Sequence, residues 1–171
     1  MAFDQTLPPL LAELNAIEID YADGDGIDFE PYQELQSAED NIEWIRAWTG
    51  NLELTGAEYR VFGQDGTGGY AAFWLVRPGA PLLEQPIVFF GSEGELGVVA
   101  ARFTDYLWLL AGGIGPYEAT SFGPDDDRVP QPELAAFAER HGGVPRIPAE
   151  VLAAAQKEFP DFEAMVRASC R

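Results

Sequence analysis

The chain has 171 residues, 47% of them hydrophobic, and 29 acidic against ten basic side chains give a formal net charge of −19. This length suits one domain whose core needs no covalent staples. So negative a balance disfavours nucleic acid and anionic membranes as partners, because both are gripped through Lys and Arg. The excess is uneven: residues 1–58 hold 14 acidic side chains against the single Arg46, while 59–118 and 119–171 are each net −3. Such an acidic front favours a basic protein partner, since a field of one sign steers an oppositely charged surface into encounter. Solubility alone is the plainer reading of the same acidity.

Met1-Ala2-Phe3-Asp4 lacks the basic start and apolar stretch of a signal peptide. No run of about 18 apolar residues is present to span a membrane. The cytoplasm is the expected compartment. The lone Cys170 cannot close an internal disulfide.

Leu7, Leu10, Leu11 and Leu14 recur at helical spacing and predict a first helix over about 6–16, with Pro8 and Pro9 in its first turn. The Asp- and Gly-rich stretch Ile17–Pro31 reads as short strand and loop. Ser37 with Asp40 three residues on resembles a capping box. Ile42, Ile45 and Trp48 or Trp44 supply the apolar stripe of a second helix that Gly50 stops. From Glu53 the period shortens. Leu54–Phe62, Tyr70–Val76, Pro86–Phe90 and Glu95–Ala100 are short runs rich in β-branched and aromatic residues, separated by Gly- and Pro-rich turns. Turns this short leave no room for crossover helices, so the sheet is expected to be mainly antiparallel. A helix over Phe103–Ala111 follows, then a linker over Gly123–Pro132 containing Asp125, Asp126 and Asp127, then helices over about 133–141, 148–158 and 161–169. Helices, strands, then helices predict an α+β domain with helices on one face of a bent, mainly antiparallel sheet. Its core spans about 1–122 and a helical extension about 131–171.

Little in this sequence suits catalysis. The only histidine, His141, closes a predicted helix beside Gly142-Gly143, where its charge suits the helix dipole. Gly91-Ser92-Glu93-Gly94 has the wrong spacing for a nucleophile elbow. One Cys and one His cannot build a zinc site. Asp20, Asp23, Asp25 and Asp28 crowd together around Gly24 and Gly26, but no EF-hand frame fits them: with Gly26 sixth, Tyr21 falls first and Tyr32 twelfth; with Gly24 sixth, Ile19 falls first. The cluster leaves room for a cation site of another geometry. Gly63–Gly69 leads into a strand instead of the Lys-bearing helix of a phosphate loop, so it reads as a hairpin turn. No carboxylate pair stands out for acid–base work. The reading is therefore of a protein with no cofactor, no metal and no catalytic residue.

Asp65-Gly66-Thr67-Gly68-Gly69, Phe73-Trp74, Pro86-Ile87-Val88-Phe89-Phe90-Gly91-Ser92-Glu93-Gly94, Val98-Val99-Ala100 and the helix Phe103-Thr104-Asp105-Tyr106-Leu107 together resemble the SUKH superfamily. This superfamily includes the yeast cell-wall assembly regulator and many bacterial immunity proteins. The resemblance covers roughly residues 35–115, and Tyr106 stands where a second Phe is commoner. It implies one α+β domain with a strongly bent antiparallel sheet and a non-enzymatic role, often as an antidote to a nuclease toxin. An acidic chain suits that role, because a nuclease offers its inhibitor the basic surface it offers its substrate.

The expected function is thus to bind and neutralise a basic toxin domain, as a monomer or weak homodimer. A regulatory scaffold of the cell-wall regulator type is the alternative, and an unrecognised hydrolase a third reading. The expected contact residues are Asp20, Asp23, Asp25, Asp28, Glu30 and Glu34, with Tyr21, Phe29 and Tyr32 as anchors among them.

Overall fold

The computed structural model describes residues 2–124 and 128–171; the three consecutive aspartates of the expected linker lie outside them. In chain order the elements are α1 (Pro9–Asn15), a 3-10 turn (Ala22–Gly24), β1 (Glu30–Pro31), α2 (Ala38–Thr49), β2 (Tyr59–Gln64) and β3 (Tyr70–Trp74). A second 3-10 turn (Leu82–Glu84), β4 (Ile87–Phe90), β5 (Leu96–Ala100) and α3 (Phe103–Ala111) follow. The chain then runs through α4 (Pro116–Ser121), α5 (Pro132–His141), α6 (Pro148–Glu158) and α7 (Phe162–Ser169).

Local chemistry sets the boundaries. Helices α1, α4, α5 and α6 open on proline, which gives up no helical hydrogen bond in the first turn. Ser37 Oγ accepts the N–H of Asp40 at 3.1 Å, capping α2, and Gly50 ends it in the left-handed region with φ 69°. The first helix starts at Pro9, later than expected, because Pro8 precedes a proline and is held extended at ψ 145°. The strand expected from Leu54 begins only at Tyr59, after a turn that places Gly56 at φ 65°. Helix α4 had no counterpart among the expected elements.

The five strands pair antiparallel in chain order, β1-β2-β3-β4-β5, with register shifts between Val61 and Gly63 and between Ile87 and Val88. Irregularities of this kind bend strands. Helices cover both faces of the sheet, not one. Phe62, Phe73, Ile87, Phe89 and Val99 face a core completed by Leu11, Tyr106, Phe137 and Leu152. Val61, Ala72, Val88, Phe90 and Val98 face a second core with Trp44, Ile45, Phe162 and Val166. All four residues of β4 are fully buried, as a strand covered on both sides requires. The C-terminal helices are not an appendage: α5 and α6 fill the first core, and α7 the second.

Candidate protein-binding face

The residues expected to touch a partner fall into three surroundings. Asp20, Tyr21, Asp23 and Asp25 are exposed on the loop around the first 3-10 turn. That loop is clamped from behind. Gln131 Nε2 donates to the carbonyl of Asp20 at 2.8 Å while its Oε1 accepts the Asp20 N–H at 2.9 Å, and the N–H of Val129 donates to the carbonyl of Asp25 at 3.0 Å. Asp28 is half-buried, its Oδ1 accepting the N–H of Gly66 at 2.8 Å. Phe29 is a correction: it is a core residue, packed edge-on to Phe62 and directly over Gly63, where any side chain would collide with its ring. It is therefore not a surface anchor.

Glu30 lies in β1, and Tyr32 and Glu34 on the strap that joins β1 to α2. The strap is held along β2, with the N–H of Tyr32 donating to the carbonyl of Phe62 at 2.9 Å and that of Gln36 to the carbonyl of Val61 at 3.0 Å. Tyr32 Oη donates to Gln64 Oε1 at 2.8 Å, and burial, with the neighbouring Tyr70 and the charge of Glu30, pushes its phenol well above the ordinary tyrosine range. Tyr32 is thus a fixed, neutral ring beside Glu30, whose Oε2 accepts a hydrogen bond from Gln64 Nε2 at 3.4 Å.

These three residues belong to a larger concave surface. Three open depressions, of about 500, 420 and 590 Å³, share walls: Gln33 and Glu34 line the first and second, Gln36 and Asp40 the second and third. The resulting trough carries Asp4, Glu30, Glu34, Asp40 and Glu43, and among the described residues no Lys or Arg lines it. Hydrogen bonds from the backbone N–H and the hydroxyl of Thr6 hold Asp4 below the usual carboxylate range, so that end of the trough keeps its charge. At the other end the wall is aromatic. Trp44 packs edge-on to Tyr70 at 5.6 Å between ring centroids, and Trp48 Nε1 donates to the carbonyl of Gly91 at 2.8 Å. Rigid aromatics next to free carboxylates suit a partner that brings cationic and apolar groups together.

The sequence reading missed Asp4, Gln36, Asp40, Glu43, Trp48 and Tyr70 as surface contributors; Trp44, which backs the same end of the trough, is itself buried. A usable signal lay in α2, where Asp40, Trp44 and Trp48 recur at intervals of four and so share one face.

The buried carboxylates are committed to structure. Asp65 Oδ1 accepts the N–H groups of Thr67 and Gly69 in the β2–β3 turn, Asp105 pairs with Arg146 at 2.8 Å, and Glu118 accepts two backbone N–H groups. His141 packs on the Phe137 ring at 4.6 Å at the end of α5, and Cys170 Sγ lies 3.6 Å from the carbonyl of Val166. Among the described residues no group of three or more His, Cys, Asp or Glu is placed to hold a metal ion, and no helix is long and apolar enough to cross a membrane. Comparison with protein-family models, with curated proteins and with solved structures finds no match.

Proposed function

We propose that this chain is a non-enzymatic protein-binding module that neutralises a basic, nuclease-type toxin domain in the cytoplasm by covering that domain's nucleic-acid-binding surface. One observation carries the reading: a continuous trough with five carboxylates and no cationic side chain, walled at one end by Trp44, Trp48 and Tyr70. Such a surface offers a basic partner negative charges spaced over a concave face, as a phosphate backbone does, with aromatic area for specificity. The sequence resemblance to the SUKH superfamily supports the same role, and the α+β architecture agrees with it.

The test is direct. The purified chain is mixed with any nuclease-type toxin domain found encoded beside its gene, at low and at high salt, and the complex and residual nuclease activity are measured. A stoichiometric complex that abolishes nuclease activity and weakens with salt is expected. Absence of a complex at low salt overturns the reading.

A further inference from the structure

We propose that the hollow between Phe3, the start of α2 and Arg60 binds a small apolar monocarboxylic acid, held by a carboxylate–guanidinium contact. The site shares no lining residue with the acidic trough and does not rest on the function proposed above.

The hollow measures about 270 Å³, small beside the cavities that take drug-sized ligands. Ala38 and Ile42 of α2, Thr55 and Ala57 of the segment before β2, and the Phe3 ring line it, so its wall is mostly hydrocarbon. Its frame is fixed. Asn41 Nδ2, on a fully buried side chain, donates to the carbonyls of Gly56 and Tyr59 at 3.2 and 2.8 Å, which ties α2 to that segment.

Among the described residues Arg60 is the one charged member of the lining. Its Nη1 donates to the carbonyls of Ala57 and Tyr59 at 2.8 and 2.9 Å, and its guanidinium lies over the Phe3 ring at 3.7 Å. Plane and position are thus set before a ligand arrives. The Nε–Nη2 edge keeps two parallel donors. Among the described residues that edge has no hydrogen-bond acceptor, and no carboxylate lies within ion-pair distance of Arg60. Burial lowers the Arg60 pKa from its ordinary value, and no neighbouring acid opposes that shift. In a chain with 29 acidic side chains, this half-buried cation has none of them as a partner.

A carboxylate matches the open edge with two parallel hydrogen bonds. It also brings the single negative charge that one guanidinium can neutralise, whereas a phosphate dianion would hold a second, unpaired charge against hydrocarbon. The rest of the ligand must be apolar to displace water along Ala38, Ile42 and Ala57. The net charge of −19 repels anions at a distance. Salt screens that field within about 10 Å, while a contact in a partly dry hollow is screened much less.

The experiment titrates 3-phenylpropionate and octanoate into the intact chain and follows the methyl groups of Ala38, Ile42 and Ala57 by NMR. Both acids are expected to shift these methyls together and to saturation. 3-Phenylpropanamide, of the same size without the charge, should bind roughly tenfold more weakly, and so should the acid to Arg60→Gln, since each change removes the charge-assisted pair. Arg60→Lys, which keeps the charge but not the fork, should fall between. Ile42→Trp, which fills the hollow, should abolish binding; Glu34→Lys in the trough should leave it unchanged. The acid–amide comparison on the wild-type chain stands even if a variant fails to fold. Neither acid saturating below about 10 mM, an amide that binds as tightly as its acid, or binding that leaves the three methyls unmoved overturns the proposal. A peptide ending in phenylalanine that binds more tightly than 3-phenylpropionate also overturns it, since the site would then belong to a protein terminus.

Discussion

Glu118 and Asp28 are joined side chain to backbone: the N–H of Asp28 donates to Glu118 Oε2 at 3.1 Å, while Glu118 Oε1 takes the N–H of Gly115 at 3.0 Å. One carboxylate thus ties the end of the acidic N-terminal segment to the start of α4. Burial raises its pKa above the usual glutamate range, an effect the two hydrogen bonds only partly reverse. Its folded pKa therefore lies above its unfolded one, so its contribution to stability is fullest below the unfolded value and declines as pH rises through the folded value. Glu118→Gln keeps one acceptor and presents an NH2 to the second N–H, a loss of about 1–3 kcal/mol. The gap between wild type and variant, measured by urea unfolding across pH, should narrow from the acid side toward neutrality. A gap that widens with pH contradicts the assignment.

Trp44 is the hub of the second core, edge-on to Tyr59, Tyr70 and Phe90 at 5.7, 5.6 and 5.0 Å, yet its indole N–H is buried without a partner. Removing the ring by Trp44→Ala should cost about 3–5 kcal/mol. Trp44→Phe keeps much of the packing and gives up no hydrogen bond, so about 1.5 kcal/mol or less is expected. Thermal unfolding of the pair checks both; equal losses would mean that the N–H has a partner in solution.

Ala22 and Asp23 occupy the left-handed region at φ 47° and 53°, where a Cβ is strained. Ala22→Gly should leave stability unchanged or raise it by up to about 1 kcal/mol, whereas Ala12→Gly, on the exposed side of α1, should lower it by about 1 kcal/mol. Opposite signs in one denaturant series would show that the loop conformation persists in solution.

Two acidic surfaces compete for the role of partner site, and charge reversal separates them. Glu34→Lys with Glu43→Lys in the trough should slow association with the basic partner roughly tenfold at low salt, an effect that fades as added salt screens the field. Asp23→Lys with Asp25→Lys on the clamped loop should slow it less. Both pairs are exposed, so folding stability should move by no more than about 0.5 kcal/mol. Stopped-flow association rates at two ionic strengths decide the matter. A larger effect from the loop pair would move the site there.

The strand runs, the Ser37 cap, the Gly50 stop and the three C-terminal helices were legible because each rests on local chemistry. The double-faced sheet was also written in the sequence: Ile87-Val88-Phe89-Phe90 has no polar alternation, and such a strand cannot turn one face to water. Helix α4 was not legible, since six residues carrying Tyr117 and Glu118 show no apolar period. Of the trough's lining, Glu30, Tyr32 and Glu34 stand among the expected contact residues because acids and aromatics adjoin in sequence, whereas Asp40, Glu43 and Tyr70 reach the trough only through tertiary packing. Phe29 was misplaced because an aromatic between acids looks the same in sequence whether its ring turns out or in. Gly63, which lets that ring lie over β2, is distant in sequence.

Strands β2 to β5 pair in the order in which they occur, so that part of the sheet can assemble from successive hairpins, while β1 pairs with β2 only across the intervening α2. The second core cannot finish that way. Phe162 and Val166 must come back to Trp44 and Ile45, and Asn51 Nδ2 donates to the carbonyl of Ser169 at 2.8 Å. During synthesis the aromatic side of the meander would therefore be covered by α2 alone until the C-terminal helices emerge and α7 closes the second core.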